Sequence, residues 1–117
     1  MNVARLCALS VIAACACSRP RASPDELAAA LTGQGLHVEK KAELDPKPEW
    51  VGAELGVDLV LDYDEAYRGI RFSSIDLARG YCQEGPGGVL YRSWCVEPVA
   101  TSPRHEVWSK VAQLRTR

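Results

Sequence analysis

VDLVLDYDEAYRGIRF, residues Val57 to Phe72, decides the fold of this 117-residue chain. Val57, Leu59 and Leu61 alternate with Asp58 and Asp62, the period-two pattern of a strand with one wet face. Asp62-Tyr63-Asp64-Glu65 is turn-like, and Tyr67 to Phe72 reads as the returning partner, with Ile70 and Phe72 inward. Strands joined by so short a link pair antiparallel.

Upstream of this hairpin, Trp50 stands in a loop just before a short irregular piece bounded by Gly52 and Gly56. Asp45-Pro46-Lys47-Pro48 ends an earlier alternating run, Leu36-His37-Val38-Glu39, which extends as a strand to Leu44. Before that, Ser23-Pro24-Asp25-Glu26 has the form of a capping box with Pro in the first turn. Leu27, Ala28 and Leu31 then fall on one helical face, and Gly33 or Gly35 ends the helix. Downstream, Ser73 with Asp76 three residues on opens a second helix through Ile75, Leu77, Ala78, Tyr81 and Cys82. Gly85-Pro86-Gly87-Gly88 stops it. Val89 to Val96 reads as one more strand, closed by Pro98. Ser102-Pro103 begins a last helix with Val107, Trp108, Val111 and Leu114 on its apolar side. The order α-β-β-β-α-β-α predicts an α+β fold, a small antiparallel sheet of about four strands with helices on one face. Residues 24–117 form its single domain, as the length of the chain allows.

Charge excludes one class of partner. Fourteen Lys+Arg against fifteen Asp+Glu give a net charge of −1, and the bases are scattered rather than striped. Nucleic acid is therefore not an expected partner.

The N-terminus is of another kind. In MNVARLCALSVIAACAC, Arg5 precedes a nine-residue apolar run, Leu6 to Ala14. A spanning helix needs about 20 residues, so the run reads as an export signal with small residues before its cleavage point. Ile12-Ala13-Ala14-Cys15 resembles the lipobox of bacterial lipoproteins. The resemblance covers only this export segment. It implies cleavage before Cys15, diacylglycerol on the Cys15 sulfur and a mature protein held in the bacterial envelope, at the outer membrane or cell surface. Residues 1–14 are then the signal peptide and residues 15–23 a lipidated tether. Alternatives stay open. Ala14-Cys15-Ala16-Cys17 is a degenerate lipobox that would place the lipid on Cys17. Ala14-Cys15-Ala16 also fits a soluble export signal, and a buried N-terminal helix of a cytosolic protein is the remaining reading. Ala16 to Ser23, fully extended, would reach roughly 28 Å. Arg19 and Arg21 would then lie near lipid headgroups.

Five cysteines divide accordingly. Cys7 leaves with the signal, and Cys15 and Cys17 sit at the cleavage region. Cys82 and Cys95 are alone in the domain body, and in an oxidising compartment they most simply pair. Free thiols and redox or metal chemistry are the alternatives, though the spacing is far wider than C-x-x-C.

The residues suited to chemistry are few. His37 and Glu39 share a strand face, but no third or fourth ligand stands at a recognisable spacing, and His105 falls in the first turn of the last helix. Asp62, Asp64 and Glu65 lack the calcium-loop pattern and read as a solvated turn. Ser73 and Ser74 have no nucleophile context and serve first as helix caps. The Gly-rich stretch 85–88 precedes a strand, whereas a phosphate loop precedes a helix. No catalytic residue, metal or cofactor is expected. Among the large aromatics, Trp94 and Trp108 fit the core, and Tyr67 and Tyr91 are contact candidates. Trp50, in its loop, either packs beneath that loop or meets a partner protein. The sequence thus predicts a non-enzymatic interaction domain held at the membrane by lipid, with an envelope protein as possible partner. The rival reading is an exported hydrolase using Asp/Glu carboxylates.

Overall fold

The hairpin forms where the alternation places it. In the computed structural model, which describes residues 22–84 and 87–116, β2 (Ala53–Leu61) and β3 (Glu65–Phe72) pair antiparallel from Ala53 opposite Phe72 to Leu61 opposite Glu65. The turn needs two consecutive residues at positive φ, Asp62 (49°) and Tyr63 (75°). Asp tolerates that conformation because its side chain can bond locally. Here Asp62 Oδ1 accepts from the His37 backbone N–H at 2.9 Å, and the Tyr63 ring stacks on His37 at 4.0 Å.

β1 (Val38–Leu44) joins the outer edge of β2. The expected last strand is in fact two, β4 (Val89–Tyr91) and β5 (Trp94–Pro98), folded back on each other with Tyr91 opposite Trp94. Arg92 takes φ +54° at their turn. The turn carries no Asn or Gly, so the run read as continuous. Strand order is β1-β2-β3-β5-β4, all antiparallel, which makes five strands rather than about four.

Three helices complete the α+β fold: α1 (Pro24–Thr32), α2 (Ile75–Glu84) and α3 (His105–Ala112), the last running into a 3₁₀ turn, Gln113–Thr116. The capping box of α1 closes as expected: Ser23 Oγ accepts from Glu26 N–H at 3.1 Å, and Ser23 N–H donates to Glu26 Oε1 at 2.7 Å. The cap of α2 lies one residue later than expected. Ser74 Oγ accepts from Leu77 N–H at 3.1 Å, and the Asp76 carboxylate pairs with Arg79. α3 begins at His105, with Arg104 at the N-cap making no side-chain cap.

The helices do not share one face, and here the expectation is corrected. α1 and α3 cover a first face, on which Val57, Leu59, Leu61, Tyr67, Trp94 and Val96 meet Leu27, Leu31, Val107 and Val111. α2 covers the second, where Ile70, Phe72 and Cys95 meet Trp50, Ala78 and Cys82. Register explains the division. Val57 lies opposite Gly69, so Ile70 and Phe72 point away from the side on which Val57 points. A central strand that is apolar on both faces needs cover on both.

The domain also begins earlier than residue 24. Ala22, assigned to the tether by sequence, is 4% exposed and packs in the first core. Its carbonyl accepts the Trp94 indole N–H at 2.9 Å and lies 3.5 Å from Arg71 Nη1. Among the described residues, no helix is long and apolar enough to cross a membrane.

Candidate functional site

α2 shields only part of the second face. Beyond it, a polar row crosses three strands: Asp58 on β2 lies opposite Arg68 on β3, and Arg68 opposite Glu97 on β5. Arg68 Nε donates to Asp58 Oδ1 at 3.1 Å, and its guanidinium sits 5.8 Å from the centre of the Trp50 ring. From α2, the Tyr81 hydroxyl donates to Glu97 Oε2 at 3.3 Å. Glu97 Oε1 is buried without a partner among the described residues.

This environment shifts both groups. Burial pushes the Glu97 carboxyl above the ordinary glutamate range, while the Tyr81 hydrogen bond and the Arg68 charge pull it back. Tyr81 is pushed up to about 12, first by burial and then by the Glu97 charge. A carboxyl held towards its neutral form can donate a proton. Glycoside chemistry needs a second carboxyl across a cleft. Asp58 is two strand spacings from Glu97, about 10 Å. The strand carrying Arg68 runs between them, and Arg68 is bonded to Asp58.

A second feature lies at the end of the sheet that carries the β2–β3 turn. Pro98, Val99, Thr101, Pro103 and Trp108 line a mainly apolar concavity of about 420 Å³. Val99 is 53% exposed there, although its backbone N–H extends the β3–β5 pairing to the Ala66 carbonyl. Trp108 is only half-buried, with the rest of its surface packed on the first core.

The residues singled out by sequence are distributed as follows. Cys15 and Cys17 lie outside the described residues. Cys82 and Cys95 are bonded, with Cα atoms 5.7 Å apart, inside the range a disulfide requires. Trp50 is 4% exposed, so of the two states open to it the one observed is packing beneath its loop. Gly56 makes its seat: a Cβ at residue 56 would stand 2.9 Å from Trp50 Cζ3. Tyr67 and Trp94 are fully buried, and burial together with Glu65 pushes Tyr67 up to about 12. Tyr91 is half-buried.

His37 stacks on Tyr63, and His105 opens α3 with its carbonyl accepting from Ser109 Oγ at 2.9 Å. Of the three turn carboxylates, Asp64 and Glu65 both meet Arg104, and Asp62 points elsewhere. Asp62 bonds the His37 backbone, while Asp64 meets Arg104 Nη2 at 2.8 Å and Glu65 Oε1 accepts the Arg104 backbone N–H at 2.9 Å. No group of three or more His, Cys, Asp or Glu among the described residues is placed to hold a metal ion.

Sequence reasoning did not find the Arg68, Tyr81 and Glu97 cluster. Tyr81 and Glu97 are sixteen positions apart and meet only because α2 lies on β5. The one local signal is Glu97 itself, an acid between Val96 and Pro98 in an apolar strand. Comparisons with protein-family models, with characterised proteins and with solved structures found no match to this chain.

Proposed function

We propose that this chain is a bacterial cell-envelope lipoprotein whose small domain works by contact rather than by catalysis. The observation that carries the reading is the leader, in which Arg5, the apolar run and Ile12-Ala13-Ala14-Cys15 stand in the order of a lipoprotein export signal. The Cys82–Cys95 bond supports an oxidising compartment. For the contact surface, the Trp108 concavity takes the place of Trp50. It is exposed, rich in proline and aromatic surface, and lies at the end of the sheet opposite Ala22. An envelope protein would be met there. The hydrolase alternative draws on Glu97, but Asp58, the other carboxylate of its row, is paired with Arg68.

Expressed in a bacterium, the protein is expected to partition into membranes and incorporate labelled fatty acid, and Cys15→Ser to abolish both. Labelling lost only in Cys17→Ser would move the site to Cys17. A soluble, unlabelled wild type would overturn the anchor. In the same membranes, Val99→Lys is expected to reduce cross-linking to a protein partner without loss of melting temperature.

A further inference from the structure

The two ends of the sheet differ in what they expose. Antiparallel pairing gathers the start of β2, the end of β3 and the start of β5 at one end. Ala22 enters there, pinned by Trp94 of β5 and Arg71 of β3. Three of the most exposed large aliphatic side chains belong to the same end: Val51 (73%), Ile75 (49%) and Leu77 (40%). They are neighbours in the fold. Ser73 N–H bonds the Gly52 carbonyl at 2.9 Å, which ties the approach to α2 against the start of β2. Leu77 lies so close over Gly52 that a Cβ at residue 52 would stand 2.6 Å from its Cδ1, and Val51 and Leu77 line one shallow concavity with Tyr81 and the acids Glu49 and Asp76, the second paired with Arg79. The β4–β5 turn adds Tyr91 and an exposed Arg92, whose guanidinium sits 5.7 Å from the Tyr91 ring centre.

We propose that this end of the domain is a membrane-contact surface, on which Val51, Ile75, Leu77 and the Tyr91–Arg92 tip meet the headgroup boundary of the bilayer. The inference rests on the lipid-anchor reading. Because Ala22 belongs to the core, the tether from a lipid on Cys15 shrinks to six residues, 16–21, with a reach of roughly 21 Å. A tether that short keeps the end it joins near the surface. Exposed aliphatics beside an aromatic–arginine tip are the side chains that gain at such a boundary: apolar area leaves water while the ring and the cation stay at headgroup level.

The full lipidated protein, reconstituted in vesicles of phosphatidylethanolamine and phosphatidylglycerol carrying brominated acyl chains, tests this. Val51→Trp places a reporter at the proposed contact and Tyr63→Trp one at the far end. The emission added by Val51→Trp is expected to be largely lost to bromine, and that added by Tyr63→Trp to be retained. Ile75→Trp serves as a second reporter if Val51→Trp fails to fold. Equal quenching at both ends, or none at either, in protein that still floats with the vesicles overturns the contact surface and leaves the anchor standing. A wild type that does not float with them shows that the anchor itself has failed, and the surface with it.

Discussion

The two faces of the sheet are stabilised by different means. The first buries aliphatic and aromatic side chains from four strands and two helices, with the Trp94 and Arg71 bonds to the Ala22 carbonyl at its rim. The second has a single helix, a smaller apolar cluster and, just beyond it, the polar row of Asp58, Arg68, Glu97 and Tyr81. It is also the face with the covalent bond, Cys82 of α2 to Cys95 of β5. A helix with too little apolar surface to hold itself down is stapled. The difference teaches that the disulfide belongs to α2 rather than to the domain as a whole.

The largest effect that would sharpen this contrast comes from the two buried tryptophans. Trp94→Ala on the first face is expected to cost about 3–5 kcal/mol, the usual loss for a buried aromatic. Trp50→Ala on the second is expected to cost less, because Trp94 also leaves the Ala22 carbonyl without its indole donor. Urea unfolding of both variants measures the difference, and a greater loss from Trp50→Ala would break the ranking.

Removing the staple comes next. Closing a loop of this length is worth about 3 kcal/mol in the chain-entropy model. Reduction, or the double change Cys82→Ser with Cys95→Ala, is expected to lower stability by that order. Hydrogen exchange should rise first in α2 while α1 and α3 stay protected. Uniform loss of protection would mean that the two faces unfold as one.

The smallest effect is a gain. The folded Glu97 carboxyl lies above the ordinary glutamate range because it is buried. The folded state therefore binds the Glu97 proton more tightly than the unfolded chain, and this group costs stability as pH rises through its folded value. Glu97→Gln removes that cost. It is expected to raise the melting temperature at neutral pH, with the advantage fading as pH falls into the ordinary glutamate range. An advantage that holds at every pH would point to packing instead.

Much of this contrast was hidden in the sequence. The hairpin at Val57–Phe72 was legible because alternation and turn residues agree, and α1 because Ser23 and Glu26 stand at capping-box spacing. The Cys82–Cys95 bond followed by elimination once the other cysteines were assigned to the leader. The division into two faces was not legible. Val57, Leu59, Ile70 and Phe72 all read simply as inward, and only the pairing of Val57 with Gly69 shows that they point to opposite sides. Trp50 is a loop residue as read, but where it packs was not legible, because its seat, Gly56, is space that no side chain announces. The Arg92 turn lacked the residues that mark a hairpin, and the Tyr81–Glu97 bond depends on how a helix docks.

The pinned carbonyl of Ala22 sets the path of mechanical load through the molecule. A pull on the chain ahead of it does not simply peel away the first turn of α1. Trp94 and Arg71, which hold that carbonyl, belong to β5 and β3, adjacent strands in the middle of the sheet. Tension therefore enters at the centre of the fold and is shared across paired strands rather than spent on one terminal helix. An anchored domain dragged by its own tether would be strained where it is most densely bonded, and the rim that carries Val99 and Trp108 would be the last part to feel the force.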